Sequence, residues 1–395
     1  MPNTTSARTG PTRARPAAPF AVMAAAFCLV GIVAVGQMYA TIPLIPRLAD
    51  AWSVTPADAA WATTAFAIAY AVGSLLSGPL SNRWGRRAVM VGGITAMAAV
   101  TALIPLSSDL LTGSALRAVQ GLFAGAFVPM AYAHFSATVP APRLPMALTL
   151  ISASMGGTVV IGQVETQLLD ENLGWRSAFW VTAPLLLIGA VAIHRVMGAP
   201  GLGDRRTGPT PGTLSSLAGM APLYVTALLV AGTITAVYTG VQLAGPPELV
   251  GSPEAMLLLR TSALPALVAA VLLAPFLGRL PVNTRVAGAF GLATLGMAGA
   301  GLCAASPWGI GVSLFVFMFG MSTAGPALVQ AIGTGAGVAA QTTAIAMYGF
   351  VLNAGGGAGA RLPTLVPGLA ELAYVLAAVL AVATLYLLRR ALRPA

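Results

Sequence analysis

Long apolar runs separated by short polar turns are the feature that most limits what this chain can fold into. They lie at roughly 20–46, 57–80, 88–107, 110–133, 146–168, 176–197, 218–243, 255–277, 286–305, 308–330, 340–362 and 369–390. A helix needs about 20 predominantly apolar residues to cross the hydrocarbon of a bilayer. Inside that hydrocarbon each backbone N–H and C=O must be satisfied within the segment, which leaves the helix as the form such runs can take. Composition agrees: 57% of residues are hydrophobic and 8% are charged, against about 25% charged in a soluble domain. The expected class is an all-α integral membrane protein with about twelve transmembrane helices.

Charge sets the expected orientation. All 20 basic residues are arginine. With the N-terminus placed inside, the inner segments hold 15 of those 20, and of ten acidic residues they hold Asp204 alone. This bias predicts an N-in, C-in topology, in the cytoplasmic (inner) membrane of a cell. The net charge of +10 then reads as an orientation signal and a contact with anionic lipid, not as a nucleic-acid face. The stretch around 198–217 is rich in Gly, Pro, Thr and Arg and lacks apolar periodicity, so it reads as a cytoplasmic linker. The expected organisation is a disordered basic segment at 1–19, a six-helix bundle at 20–197, the linker at 198–217, a second six-helix bundle at 218–390 and a tail at 391–395. Weak internal matches, Pro79 and Arg83 with Pro275 and Arg279, and Tyr39 and Leu44 with Tyr238 and Leu243, suggest two pseudo-symmetric halves.

Between the second and third runs lies Gly78-Pro79-Leu80-Ser81-Asn82-Arg83-Trp84-Gly85-Arg86-Arg87. It resembles the G-x-L-[SA]-D-R-x-G-R-R signature of the major facilitator superfamily of transporters, with Asn82 at the acidic position. Tyr39 to Ala49 resembles the end of the first helix in the family's drug and metabolite efflux branch. Arg117-Ala-Val-Gln120-Gly121 resembles its fourth-helix R-x-x-Q-G, and Gly174-Trp175-Arg176-Ser-Ala-Phe179 resembles the G-W-R-x-x-F turn before the sixth helix. The fifth run departs from the efflux branch: Gly162 to Gln167 lacks its Pro and Gly pair. The resemblance implies a secondary transporter working by alternating access, with a small-molecule substrate and proton coupling.

The same resemblance implies roles for particular residues. Asn82, Arg83, Arg86 and Arg87 would form a cytoplasmic gate, weakened by the missing acid at position 82. Arg117 would serve proton coupling or contact a substrate anion. Gln37, Met38, Tyr39, Tyr238, Gln242, Met318 and Met321 lie on spans that line the central cavity in the family fold. Gln120, one turn from Arg117, either joins the substrate or binds helices together.

Carboxylates are scarce at depth. Asp58 sits in Thr55-Pro56-Ala57-Asp58, a capping box with Pro at the first helical position, and Asp109 and Glu371 also open helices. Glu165 lies inside a run and caps nothing, so it either titrates with transport or makes an interhelical ion pair. Its depth matches that of Arg260 within a few ångströms at about 1.5 Å per residue. In the family fold the fifth and eighth helices face each other, as do the second and eleventh. The expectation is therefore two outer latches between the halves, Glu165 with Arg260 and Asp58 with Arg361.

No enzyme constellation, cofactor site or metal-ligand cluster is present in the sequence, and His134 and His194 stand far apart near cytoplasmic span ends, with solvated or capping roles expected. There is no phosphate-binding loop for ATP. Cys28 and Cys303 read as small core residues. The expected function is proton-coupled efflux of a small, largely apolar organic compound. Import of a small nutrient, or a sensor or scaffold that kept the fold without transporting, are the alternatives.

Overall fold

The structure, a computed structural model, describes residues 19–140, 143–198 and 219–392. The basic N-terminal segment, the linker and the end of the C-terminal tail fall almost entirely outside the described residues. The rest is helical, in twelve long segments: α1 (Phe20–Trp52), α2 (Pro56–Trp84), α3 (Arg86–Leu106), α4 (Leu110–Thr138), α5 (Leu144–Leu173), α6 (Trp175–Val196), α7 (Ala221–Ala244), α8 (Pro253–Leu277), α9 (Val282–Leu302), α10 (Pro307–Gly335), α11 (Gly337–Arg361) and α12 (Leu369–Ala391). A short helix, Pro247–Val250, bridges α7 and α8.

Several helices outrun the apolar stretches that announce them. Pro43 and Pro46 lie inside α1 and do not end it; the helix stops at Ser53, whose φ of 56° is left-handed. The arginine-rich turn is shorter than its sequence suggests. α2 continues through Asn82 and Arg83 to Trp84, and Gly85 alone (φ 82°) turns the chain into α3. Gly174 (φ 80°) does the same between α5 and α6. Both positions demand a conformation that only glycine adopts without strain.

The two sets of six helices pack in matching ways. α1 lies on α5 and α6, and α7 on α11 and α12; α2 lies on α4, and α8 on α10. Close approach depends on missing side chains. A Cβ on Gly162 of α5 would collide with the Gly36 carbonyl oxygen of α1, and one on Gly359 of α11 would collide with that of Gly232 in α7. Such small-residue contacts let helix backbones meet where lipid offers no hydrophobic drive for association. Between the sets, α2 packs on α11 and α5 on α8.

The alternation of helices places Arg83, Arg86, Arg87, Arg279, Arg285, Arg389 and Arg390 at one end of the bundle, the arginine-rich end. The opposite end is capped by polar starts. Thr55 Oγ1 accepts from the Asp58 N–H, and Asp109 accepts from the Thr112 N–H at 2.9 Å and hydroxyl at 2.8 Å. These bonds hold the Asp109 carboxyl below the usual carboxylate range. At this end Trp61, Trp180 and Trp308 are exposed, whereas Trp52 and Trp175 are buried in a second apolar cluster. Trp52 donates to the Ser107 hydroxyl at 3.1 Å. His134, expected in a solvated or capping role, is not solvated: it is buried and stacked on Phe27, with ring centroids 5.3 Å apart.

Candidate functional site

A cavity of about 160 Å³ lies between the two halves, walled by α1, α2, α4, α5, α7, α10 and α11. Its lining extends toward the arginine-rich end, as far as Tyr132 on α4 and Val329 on α10. No Asp, Glu, Arg or His is in that lining. Four tyrosines are: Tyr39, Tyr70, Tyr132 and Tyr348. Ser74, Thr158, Ser322 and Asn353 add polar groups to a wall otherwise made of apolar side chains and glycine. Such a site can grip an uncharged, flat or amphiphilic molecule by ring faces and thioethers, and orient it by a few hydroxyls.

Of the seven side chains expected to line the cavity from the first, seventh and tenth spans, Met38, Tyr39, Met318 and Met321 do so. Gln37, Tyr238 and Gln242 do not, and neither does Gln120; all four are buried in helix–helix contacts instead. Tyr70, Tyr132, Tyr348 and Asn353 join the cavity without having been singled out from the sequence. An i, i+4 match of Tyr70 with Ser74 on α2 was the signal available for one wall.

Arg117 is fully buried and stands outside the cavity lining. Its Nη2 donates to the Gln37 carbonyl at 2.7 Å and to Thr41 Oγ1 at 3.4 Å, its Nε to the Ala62 carbonyl at 3.4 Å, and its Nη1 to Gln120 Oε1. Its guanidinium also sits 4.4 Å from the centroid of the Phe66 ring. Gln120 passes the network on, donating to Thr101 Oγ1 at 2.7 Å and Gln37 Oε1 at 3.4 Å. Gln37 in turn donates to Thr182 Oγ1 at 3.5 Å. One arginine thus joins α1, α2 and α4 directly, and α3 and α6 through two glutamines, all within the first half.

The two expected latches are not formed as charge pairs. Arg260 is buried and donates to Gln167 Oε1 across the halves and to Gln242 Oε1 at 2.5 Å within its own half. Gln167 follows Glu165 by two residues, which turns the two side chains about 200° apart on α5. Glu165 instead shares a helix face with exposed Ile161 and Leu168 and is half-buried, with no partner for its carboxylate among the described residues. The acid that reaches Arg260 is Glu171, through a relay: Gln167 Nε2 donates to Glu171 Oε1 at 2.6 Å and also to the Pro253 carbonyl at 2.5 Å. At the other seam Arg361 does cross to α2. It donates to the Ala57 carbonyl at 2.5 Å and lies 4.5 Å from the Trp61 ring centroid, while Asp58 is occupied by its cap with Thr55. Nearby, Thr64 Oγ1 donates to the Gly357 carbonyl at 3.1 Å. These bonds close the molecule at the end opposite the arginine-rich one.

At the arginine-rich turn the side chains diverge. Arg86 donates to the Ala133 carbonyl on α4 at 3.2 Å, and Arg87 to the His194 carbonyl at 2.6 Å in the last turn of α6, where the helix dipole favours a cation. Arg83 lies 5.7 Å from the centroid of its neighbour Trp84, and Asn82 is exposed on the same turn.

Comparison with known proteins gives a consistent picture. The family model for the Major Facilitator Superfamily matches residues 27–360. The tetracenomycin C resistance and export protein of Streptomyces glaucescens is 31% identical over 40% of this chain and 31% of its own length. The chloramphenicol resistance protein of Streptomyces lividans is 28% identical over 55% of each, and the puromycin resistance protein of Streptomyces alboniger is 31% identical over 41% of this chain and 33% of its own. The matches therefore span between about a third and just over half of these relatives' lengths. Among solved structures, the human organic anion transporter MFSD10 (TETRAN) superposes with a TM-score of 0.71 at 16% identity, covering 93% of this chain and 99% of that one. A mutant of the nucleoside transporter NupG does so with a TM-score of 0.67 at 11% identity, covering 93% and 98%.

Proposed function

The chain belongs to the Major Facilitator Superfamily, and we propose that this multi-pass membrane protein, a transporter and not an enzyme, exports a small, largely apolar organic compound in exchange for protons. The uncharged cavity shared by both halves carries this reading. Its rings, thioethers and few hydroxyls suit a neutral or weakly polar molecule better than a sugar or a strongly charged metabolite, which would need more fixed hydrogen-bonding and ionic partners. Resistance and export functions named for the Streptomyces relatives support efflux as the direction.

The arginine bias supports placing the arginine-rich end in the cytoplasm, with both termini inside and the molecule in the cytoplasmic membrane. The cavity then faces inward, ready to load from the cell, while the Gln167–Arg260 and Arg361–Ala57 contacts hold the outer side shut. The six helices of 20–197 and the six of 218–390 rock against each other about the cavity. Protons enter the scheme through Glu165, the one carboxylate at depth on a helix that meets both α1 and α8. Nucleic acid has no part in it. The test is reconstitution into vesicles with an imposed proton gradient, alongside drug accumulation in a pump-deficient host with and without an uncoupler. Extrusion that survives gradient collapse removes proton coupling, and Glu165→Gln protein that still couples removes Glu165 from it. Absence of flux for every neutral amphiphile tried, with flux for an ionic nutrient, removes the efflux reading.

A further inference from the structure

We infer that a cleft between α8 and α9, floored by α10, is a binding site for one anionic phospholipid, with an acyl chain in the cleft and the headgroup phosphate on Arg285. The two halves differ at this point. In the first, α2 and α3 are joined by Gly85 alone and pack on each other. In the second, residues 278–281 separate α8 from α9, and both helices pack on α10 with no interface between them comparable to that of α2 with α3. The gap they leave has a volume of about 320 Å³. It is carved by small residues, Ala270, Ala274, Gly288 and Ala327, and runs inward to Leu292 and Phe319. From Thr284 at its mouth to Leu292 it spans about 12 Å along α9, at ~1.5 Å per residue. The rows beside it, Val271, Leu272, Phe276 and Leu295, are exposed and apolar, as a lipid-facing surface must be.

The mouth carries the charge. Arg285 lines the cleft one turn into α9, at the arginine-rich end where a headgroup would lie. Its Nη2 donates to Gln330 Oε1, which fixes the guanidinium, while its Nε is buried and has no partner. No carboxylate is in the cleft lining. A fixed arginine with an unspent donor above an apolar slot fits a phosphate with a tail attached. Ser322 and Pro326 of α10 border both this cleft and the central cavity, so one helix wall separates the lipid from the transported molecule.

The experiment is native mass spectrometry of the full-length protein, delipidated and back-titrated with phosphatidylglycerol or phosphatidylcholine of the same acyl composition. The wild type should hold one tightly bound phosphatidylglycerol, preferred about fivefold over phosphatidylcholine. Arg285→Gln should remove that preference. Gly288→Leu should block the slot to both lipids, and a side chain fits there because no atom lies within 4 Å of the position its Cβ would take. An unchanged preference in Arg285→Gln overturns the proposal. So does a photoactivatable phosphatidylglycerol that labels peptides elsewhere than α8 to α10, or a Gly288→Leu protein of normal thermal stability that binds the lipid as wild type does.

Discussion

Replacing Gln167 by leucine should open the end that Arg260 closes. Arg260 has two amide acceptors, Gln167 across the halves and Gln242 in its own half. When the halves part, the bond to Gln242 travels with them, so it is present on both sides of the equilibrium and cannot shift it. The bonds of Gln167 to Arg260 and to the Pro253 carbonyl cross the seam, so parting of the halves would break them. A hydrogen bond to a buried charge contributes about 1.5–3 kcal/mol net, and a neutral one about 0.5–1.5 kcal/mol. Gln167→Leu therefore withdraws at least ~2 kcal/mol from the closed form, roughly a thirtyfold change in population ratio. Spin labels at Asn172 and Glu254, exposed at the mouth of α5 and the start of α8, would report it by pulsed dipolar spectroscopy in a background free of Cys28 and Cys303. The distance distribution should gain a longer component in Gln167→Leu and stay near wild type in Gln242→Leu. Equal widening in both variants, or none in either, refutes the argument.

Arg117→Met should lower thermal stability in detergent as well as transport, since each acceptor stranded at Gln37, Ala62 or Gln120 costs about 1–3 kcal/mol; dead transport with unchanged melting would instead give Arg117 a direct part in coupling. Tyr348→Phe and Asn353→Leu should raise KM for hydrogen-bonding substrates by about two- to tenfold, the value of one bond, and leave purely apolar ones unaffected in a vesicle flux assay. Asn82→Asp should favour the form closed at the arginine-rich end by at most ~1 kcal/mol, because the turn is exposed; cysteine labelling rates on the two sides would show it. Asp109 has a depressed carboxyl pKa, so its cap stabilises fully above the unfolded value near 3.8 and is lost as pH falls through the lower folded value. Melting curves of Asp109→Ala should lie below wild type at neutral pH and converge with it in strong acid.

Much of this architecture was legible because the bilayer makes it so. Run length gives the spans, and arginine placement and the four motifs give their order. Boundaries were less legible, because a helix continues past its apolar stretch wherever polar residues can reach water, as α2 does through Asn82 and Arg83. Site residues were legible only in part, for a rotational reason. Knowing that a span lines a cavity does not say which of its faces does so. Met38 and Tyr39 point inward while their neighbour Gln37 binds Gln120 and Thr182. The same ambiguity misled the pairing of Glu165 with Arg260: depth matched, but a two-residue step along α5 put Gln167 at the seam instead.

The two buried arginines differ in one respect: the acceptors of Arg117 all lie in one half, whereas those of Arg260 lie in both. Among the described residues the one ion pair is Arg47 with Asp170, at 3.4 Å, with Arg47 largely exposed. Neither Arg117 nor Arg260 meets a carboxylate directly. Burying an ion pair requires dehydrating two charges, and removing one partner afterwards is severely destabilising. A guanidinium spread over carbonyls, hydroxyls and amides dehydrates only one, and its five donors can be matched by groups on several helices. At Arg117 every acceptor belongs to the first half, so nothing in the transport cycle asks the network to break. It is also blind to protons, because arginine keeps its charge and its acceptors do not titrate. At Arg260 one acceptor lies across the seam, and in the proposed cycle that single difference would make the contact reversible. Gln167 couples it to Glu171, which is exposed, so the closed end meets bulk charge at the water's edge and dry amides inside it. In the proposed cycle, separation would hydrate one cation and one amide instead of tearing apart a buried salt bridge, which would keep the open and closed forms close enough in energy to interconvert.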